Sequence, residues 1–305
     1  MFDRDKTAIL YYPAANPQAY YSIPDTVFSI GRAVFADCVS LEKVEIPESV
    51  NSIDEYAFYN CSSLKEINIP ASVNEIGKLA FYGCRNAQSI VLTDGLKKIC
   101  ANAFEECENI KSVDIPDSVT VIEGSAFYKC KSLENIRISE SVDKIGFHTF
   151  ACCNALTEID IPDSVNNIES KAFESCKLLG KVMLSDGVTE IDDKAFYDCP
   201  AMKSVTIGKN VRKISSLAFG YIDNGGEPLK TEGFTVYGYQ DSAAEQYAAD
   251  NGLKFVCLEE IQTPVISFPD VKESNWFYTA VEYCATKGYI TGYHNGQTIS
   301  KGRIS

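Results

Sequence analysis

The chain has 305 residues, 45% of them hydrophobic, and a formal net charge of −14. That apolar content is enough for a sizeable core, and the negative charge argues against nucleic acid or an anionic membrane surface as partner. No apolar run reaches the ~18 residues of a membrane span, so no membrane insertion is expected, and Met1-Phe2-Asp3-Arg4-Asp5 does not read as a signal peptide.

Residues 1–22 read as a partial coil, either a shield for the first complete core layer or the remainder of a longer array. Ala8–Tyr12 is predicted as one strand and Tyr20–Ile23 as the next, with Pro13 and Pro17 between them. From Ile23 onward the chain repeats. Phe35, Phe58, Phe81, Phe104, Phe127, Phe150, Phe173, Phe196 and Phe219 are spaced by 23 residues without a slip. Isoleucine keeps the same step from Ile30 to Ile214, and cysteine from Cys38 to Cys199. A fixed period of this size marks a solenoid, in which units too short to bury an apolar face alone stack and share one core.

The unit around Ile46–Asn68 can be read internally. Leu64–Ile69 alternates, which predicts a short strand with Ile67 and Ile69 inward and Glu66 and Asn68 outward. Pro70 ends it, because proline cannot donate to a ladder. Val50 and Ile53 turn back inside, and Tyr56-Ala57-Phe58 is predicted to form a single helical turn. Thr93-Asp94-Gly95 and Ser185-Asp186-Gly187 stand where other units have Pro-Asp-Ser, and glycine there permits a different turn. The repeats run over 23–219.

Residues 220–257 are predicted to cap the array. Gly220–Gly226 is a longer loop, Phe234–Tyr237 a strand, Ser242-Ala-Ala-Glu245 a capping box opening a helix, Gly252 its stop, and Leu253–Cys257 a last strand. Residues 258–267, with Glu259, Glu260 and Pro264, read as a linker. In 268–305 the period is gone. Phe268-Pro269-Asp270-Val271 precedes a helix carrying Trp276, Ala280, Val281 and Cys284, and Gly288 stops it before Tyr289-Ile290-Thr291-Gly292.

The residues offer little chemistry. There are 12 cysteines and 2 histidines. With helical turns stacked roughly 10 Å apart, the cysteine column would stand too far apart for disulfides, which need Cα atoms within about 7 Å. Its thiols are expected to be small buried groups donating to local carbonyls. No cofactor motif, metal cluster or catalytic constellation is present, so no enzyme, cofactor or metal is expected, and His148 is expected to face solvent. Asp25, Glu48, Asp94, Asp117, Glu140, Asp163 and Asp186 form an acidic column. It reads either as a solvated row of turn residues or as a strip for calcium or a basic partner.

The pattern L-x-x-I-x-I-P-x-S-V-x-x-I-x-x-x-A-F-x-x-C resembles the BspA-type leucine-rich repeat over about residues 1–257. The resemblance implies an α/β leucine-rich-repeat solenoid, right-handed, with a parallel sheet on its concave face. It implies an extracellular, cell-wall-associated bacterial protein that binds a protein or host-surface ligand. By strand alternation the outward side of the sheet presents Tyr20, Lys43, Glu45, Glu66, Asn68, Asp114, Asn135, Arg137, Glu158, Asp160, Lys181 and Met183 as partner-binding residues. Residues 268–305 resemble the opening of an S-layer homology module, with Trp276 and Gly292 at matching positions for cell-wall polymer. The expected function is a non-catalytic surface adhesion scaffold tethered to the wall. The alternatives are the targeting portion of a larger secreted wall hydrolase and a structural spacer.

Overall fold

The computed structural model describes residues 2–258. The expected linker beyond Leu258 and the 268–305 segment, with Trp276, Cys284 and Gly292, lie outside the described residues. Each 23-residue unit makes one coil of a parallel β-solenoid, and isoleucine columns become registers. Strands β1 (Ala8–Ile9), β3 (Ser29–Ile30), β5 (Ser52–Ile53), β7 (Glu75–Ile76), β9 (Lys98–Ile99) and β11 (Val121–Ile122) form one parallel ladder in which Ile30, Ile53, Ile76, Ile99 and Ile122 lie opposite one another. Strands β13 (Lys144–Ile145), β15 (Asn167–Ile168), β17 (Glu190–Ile191) and β19 (Lys213–Ile214) form a second.

The alternating segment gives the longer strands β2 (Tyr20–Ser22), β4 (Lys43–Glu45), β6 (Glu66–Asn68), β8 (Ser89–Val91), β10 (Ser112–Asp114), β12 (Asn135–Arg137), β14 (Glu158–Asp160), β16 (Lys181–Met183) and β18 (Ser204–Thr206). Their middle residues turn inward, as Val44, Ile67, Ile90, Val113 and Ile159 do, and their flanks face out. These strands pair in twos: β2 with β4, β6 with β8, β10 with β12, β14 with β16. Three of the four breaks between pairs fall where the second strand runs into Pro70, Pro116 or Pro162. The nitrogen that would donate back to the preceding coil carries no hydrogen there.

The predicted helical turn is absent. Each coil instead places two residues in the left-handed region, Tyr56 (φ 60°) and Asn60 (φ 56°) in the coil that contains Phe58. Alternate amides reach the next coil: Tyr56 N–H to Lys78 O at 3.0 Å, Phe58 to Ala80 at 2.7 Å, Asn60 to Tyr82 at 2.6 Å. The amides between them close turns within the coil, as Ala57 N–H does to Asp54 O at 3.2 Å. The reason is spacing. Strand ladders fix the coil rise near ~4.8 Å, whereas stacked helices need roughly 10 Å. A left-handed non-glycine residue costs about 1–2 kcal/mol, and the extra ladder of hydrogen bonds offsets it.

The nine phenylalanines form one buried column, with successive ring centroids 4.8–5.7 Å apart. Tyr12 and Tyr21 pack on Phe35 at one end, and Tyr247 meets Phe219 edge-on at the other. The same short rise corrects the expectation for cysteine. Neighbouring column cysteines are not held apart by distance. Each column thiol from Cys61 to Cys199 donates to the phenylalanine carbonyl of the preceding coil, from Cys61 to Phe35 at 3.0 Å through to Cys199 to Phe173 at 3.3 Å. The sulfurs therefore point the same way, and the column cysteines form no disulfide.

The end of the array departs from the repeat. The expected loop is a small antiparallel hairpin of β20 (Tyr221–Ile222) and β21 (Leu229–Lys230). Strand β22 (Thr235–Gly238) joins β18, and β23 (Lys254–Cys257) joins β22. Between them, helix α1 (Ala243–Asn251) is capped by Ser242, whose hydroxyl accepts the Glu245 amide, and by Gly252 in the left-handed conformation. No helix among the described residues is long and apolar enough to cross a membrane.

Candidate interaction face

The outward side of the long strands places the sequence-predicted residues on one row of short parallel strands that pair in twos. All twelve are exposed except Glu66, which is half-buried. Rigidity comes from beneath, because each strand's middle residue is anchored in the shared core.

The face is tied laterally by ion pairs from coil to coil. Tyr20 donates its hydroxyl to Glu45 at 2.5 Å, which raises the Tyr20 pKa above its ordinary value. Lys43 reaches Glu45 at 3.8 Å and Glu66 at 3.6 Å. Lys181 reaches Glu158 at 3.4 Å. Arg137 donates from Nε to Asp114 at 2.6 Å and from Nη1 to Asp117 at 2.9 Å. The Glu140 amide and that guanidinium hold the Asp117 carboxyl below the usual carboxylate range. Exposed pairs of this kind contribute about 0–1 kcal/mol each, so they order the face more than they stabilise the fold.

The structure brings together what the sequence kept separate. The acidic column lies directly beside this face, and Asp117, Glu140 and Asp163 border the residues of β12 and β14. Their spacing of one coil was visible in the sequence, but their adjacency to Arg137 and Asp160 depends on where the strand ends. Among the described residues, no grouping of three or more histidine, cysteine, aspartate or glutamate side chains could hold a metal ion. His148 does not face solvent as expected. Its ring stacks on Tyr128 with centroids 5.4 Å apart and meets Glu174 at 3.2 Å, and burial lowers its pKa against the pull of that carboxylate. It is a packed turn residue.

The profile of the BspA type leucine-rich repeat region matches six copies over residues 15–123 and 97–224. The chain belongs to the BspA-type leucine-rich repeat family. This repeat protein is similar to the crystal structure of a leucine-rich repeat protein from Bacteroides ovatus ATCC 8483, at 28% identity and TM-score 0.65, covering 82% of this chain and 61% of that one. It is also similar to a leucine-rich repeat protein from Eubacterium ventriosum ATCC 27560, at 28% identity and TM-score 0.54, covering 57% and 47%. The BspA-type chain thus spans less than two thirds of either neighbour's length. No curated protein matches it. Family and neighbours are repeat proteins, and leucine-rich-repeat solenoids are in general non-catalytic scaffolds that bind proteins.

Proposed function

We propose that this protein is a non-catalytic adhesion scaffold at the bacterial cell surface, which uses the outward face of its long strands to bind a protein or host-surface ligand. One observation carries the reading. The inward residues of every coil are repeated and buried, while the outward ones, from Tyr20 through Lys43, Arg137 and Asp160 to Met183, are exposed and differ from coil to coil. A scaffold that fixes its backbone and varies its display suits recognition by changeable contacts on rigid strands. The resemblance of residues 268–305 to an S-layer homology module supports tethering to cell-wall polymer through Trp276 and Gly292.

The test is a binding panel of purified host matrix and surface proteins, read by interferometry. A variant carrying Lys43→Ala, Glu66→Ala, Arg137→Ala and Lys181→Ala is compared with the wild type. A partner bound by the wild type and lost by the variant supports the reading. A partner bound equally by both places recognition elsewhere and overturns it. Tethering is read separately, as sedimentation with purified cell wall that Trp276→Ala abolishes.

A further inference from the structure

The breaks in the long-strand ladder are not equivalent. At the β4/β6 break, Lys43 reaches across to Glu66 at 3.6 Å and closes the gap with charge. At the β12/β14 break Asn135 stands where Lys43 stands at the first, so no cation reaches across from that position. Arg137 points back to Asp114 and Asp117, at 2.6 and 2.9 Å, and Asp160 on the far side is left without an ion pair among the described residues. Glu158 beside it is taken by Lys181.

Two adjoining depressions of ≈ 340 and ≈ 360 Å³ meet at this break. They share Ile136, Arg137 and Asp160; the first adds Ile138, Ile161, Glu140 and Asp163, and the Arg137 guanidinium that borders both is already engaged by Asp114 and Asp117. No cation among the described residues pairs with Glu140, Asp160 or Asp163. The backbone is also short of a partner. The Ile115 amide donates to Arg137 O at 3.0 Å within its strand pair, but the equivalent Ile138 amide, like those of Ile46, Leu92 and Leu184 at the other breaks, makes no such bond to the next coil.

We propose that this groove binds an extended peptide segment carrying arginine or lysine side chains. The proposal rests on the adhesion-scaffold function and names the chemistry of its partner. The aliphatic stems of basic side chains lie on Ile136, Ile138 and Ile161. Their charged heads meet Asp160, Glu140 and Asp163, where a guanidinium forms paired hydrogen bonds with a carboxylate. A peptide carbonyl takes the Ile138 amide. Charge complementarity decides between occupants, because an acidic or neutral segment would leave three carboxylates facing no countercharge.

The probe is a fluorescein-labelled Gly-Arg-Ser-Arg-Ser-Arg amide titrated with the full chain, read by fluorescence anisotropy at low and moderate salt. The double variant Asp160→Asn/Asp163→Asn is expected to bind about 5- to 10-fold more weakly. The variant Asp25→Asn/Glu48→Asn, on the same acidic column away from the groove, is expected to bind as the wild type does. The same peptide with glutamine for arginine is expected not to bind. Equal affinity for the groove variant, equal weakening by the distant variant, or no anisotropy change overturns the proposal. Retained capture of a panel protein alongside a silent peptide removes the groove and leaves the adhesion function standing. A bound peptide with a silent panel does the reverse.

Discussion

Phe127 lies between Phe104 and Phe150, with ring centroids 5.3 and 5.7 Å away, and is fully buried. Truncation there removes one member from a buried column whose coils are joined on both sides by turn-side amides, Phe104 N–H to Ala126 O at 2.8 Å and Phe127 N–H to Thr149 O at 3.0 Å. Phe127→Ala is expected to cost about 3–5 kcal/mol, read as a lowered urea midpoint. Cysteine chemistry follows the same burial. Cys257 is exposed and Cys152 half-buried, whereas the column thiols are sealed, and burial pushes up the pKa values of Cys107, Cys130, Cys153, Cys176 and Cys199, the last to about 12. A native-state iodoacetamide pulse with peptide mass spectrometry is expected to label Cys257 first, then Cys152, and the column only on unfolding. Asp198 shows what a buried charge does at a turn. Burial alone would raise its pKa, but the Lys177 ammonium, the Ser175 hydroxyl at 2.7 Å and the Asp223 amide at 3.2 Å hold it below the ordinary range. Because the unfolded carboxyl takes its proton first as pH falls, this stabilisation is complete above about pH 4–5 and is lost as pH drops through the folded value. Asp198→Asn, which keeps a residue tolerant of φ 62°, is expected to lower stability by about 1.5–3 kcal/mol at pH 7. The gap to wild type should close below about pH 4 in thermal melts.

The coil is where local sequence and stacked geometry compete. Alternation made Leu64–Ile69 legible as a strand with the correct faces, and the constant period made its register legible too, since Ile53 opposite Ile76 follows from counting. The turn side was not legible. Mixed residues such as Ala33, Tyr56, His148 and Lys194 all sit at positive φ, and nothing in their types announces it. The demand comes from the coil rise, a property of neighbours rather than of the segment. The interaction face was readable to the same extent as the strands: its members were predicted, while the groove at β12/β14 depends on which way Arg137 turns. Glycine marks the one turn feature the sequence did signal. At Gly187 an added Cβ would stand 2.0 Å from the Asp163 carbonyl oxygen of the preceding coil, and at Gly95 2.1 Å from that of Ala71. At Gly180 the nearest such atom is 3.7 Å away, an ordinary contact. Gly187→Ala is therefore expected to destabilise by more than about 1 kcal/mol, because two coils must part. Gly180→Ala should stay within about 0.5 kcal/mol, with both compared by urea titration.

A stacked array has two ends, and its cooperativity depends on how they are closed. Stability in such molecules is close to a sum of coil terms and nearest-neighbour interfaces, so fraying starts where an interface is missing. Here both ends of the aromatic column are turned by tyrosine. At the C-terminal end Tyr247 does more than cover. Its hydroxyl donates to Phe219 O and accepts the Phe219 amide, both at 2.8 Å. The column thiols serve the phenylalanine carbonyls of earlier coils in this way. Phe219 has no following cysteine, and the helix that carries Tyr247 supplies the missing donor from outside the repeat. Tyr247→Phe keeps the ring and removes both bonds, leaving a buried amide and carbonyl unpaired. The expected cost is about 1–3 kcal/mol, confined in space. Hydrogen exchange should quicken in the coils around Phe196 and Phe219 and leave those around Phe58 and Phe104 unchanged. Uniform loss of protection along the chain would mean that the coils open as one unit, and the nearest-neighbour account of this solenoid would fail.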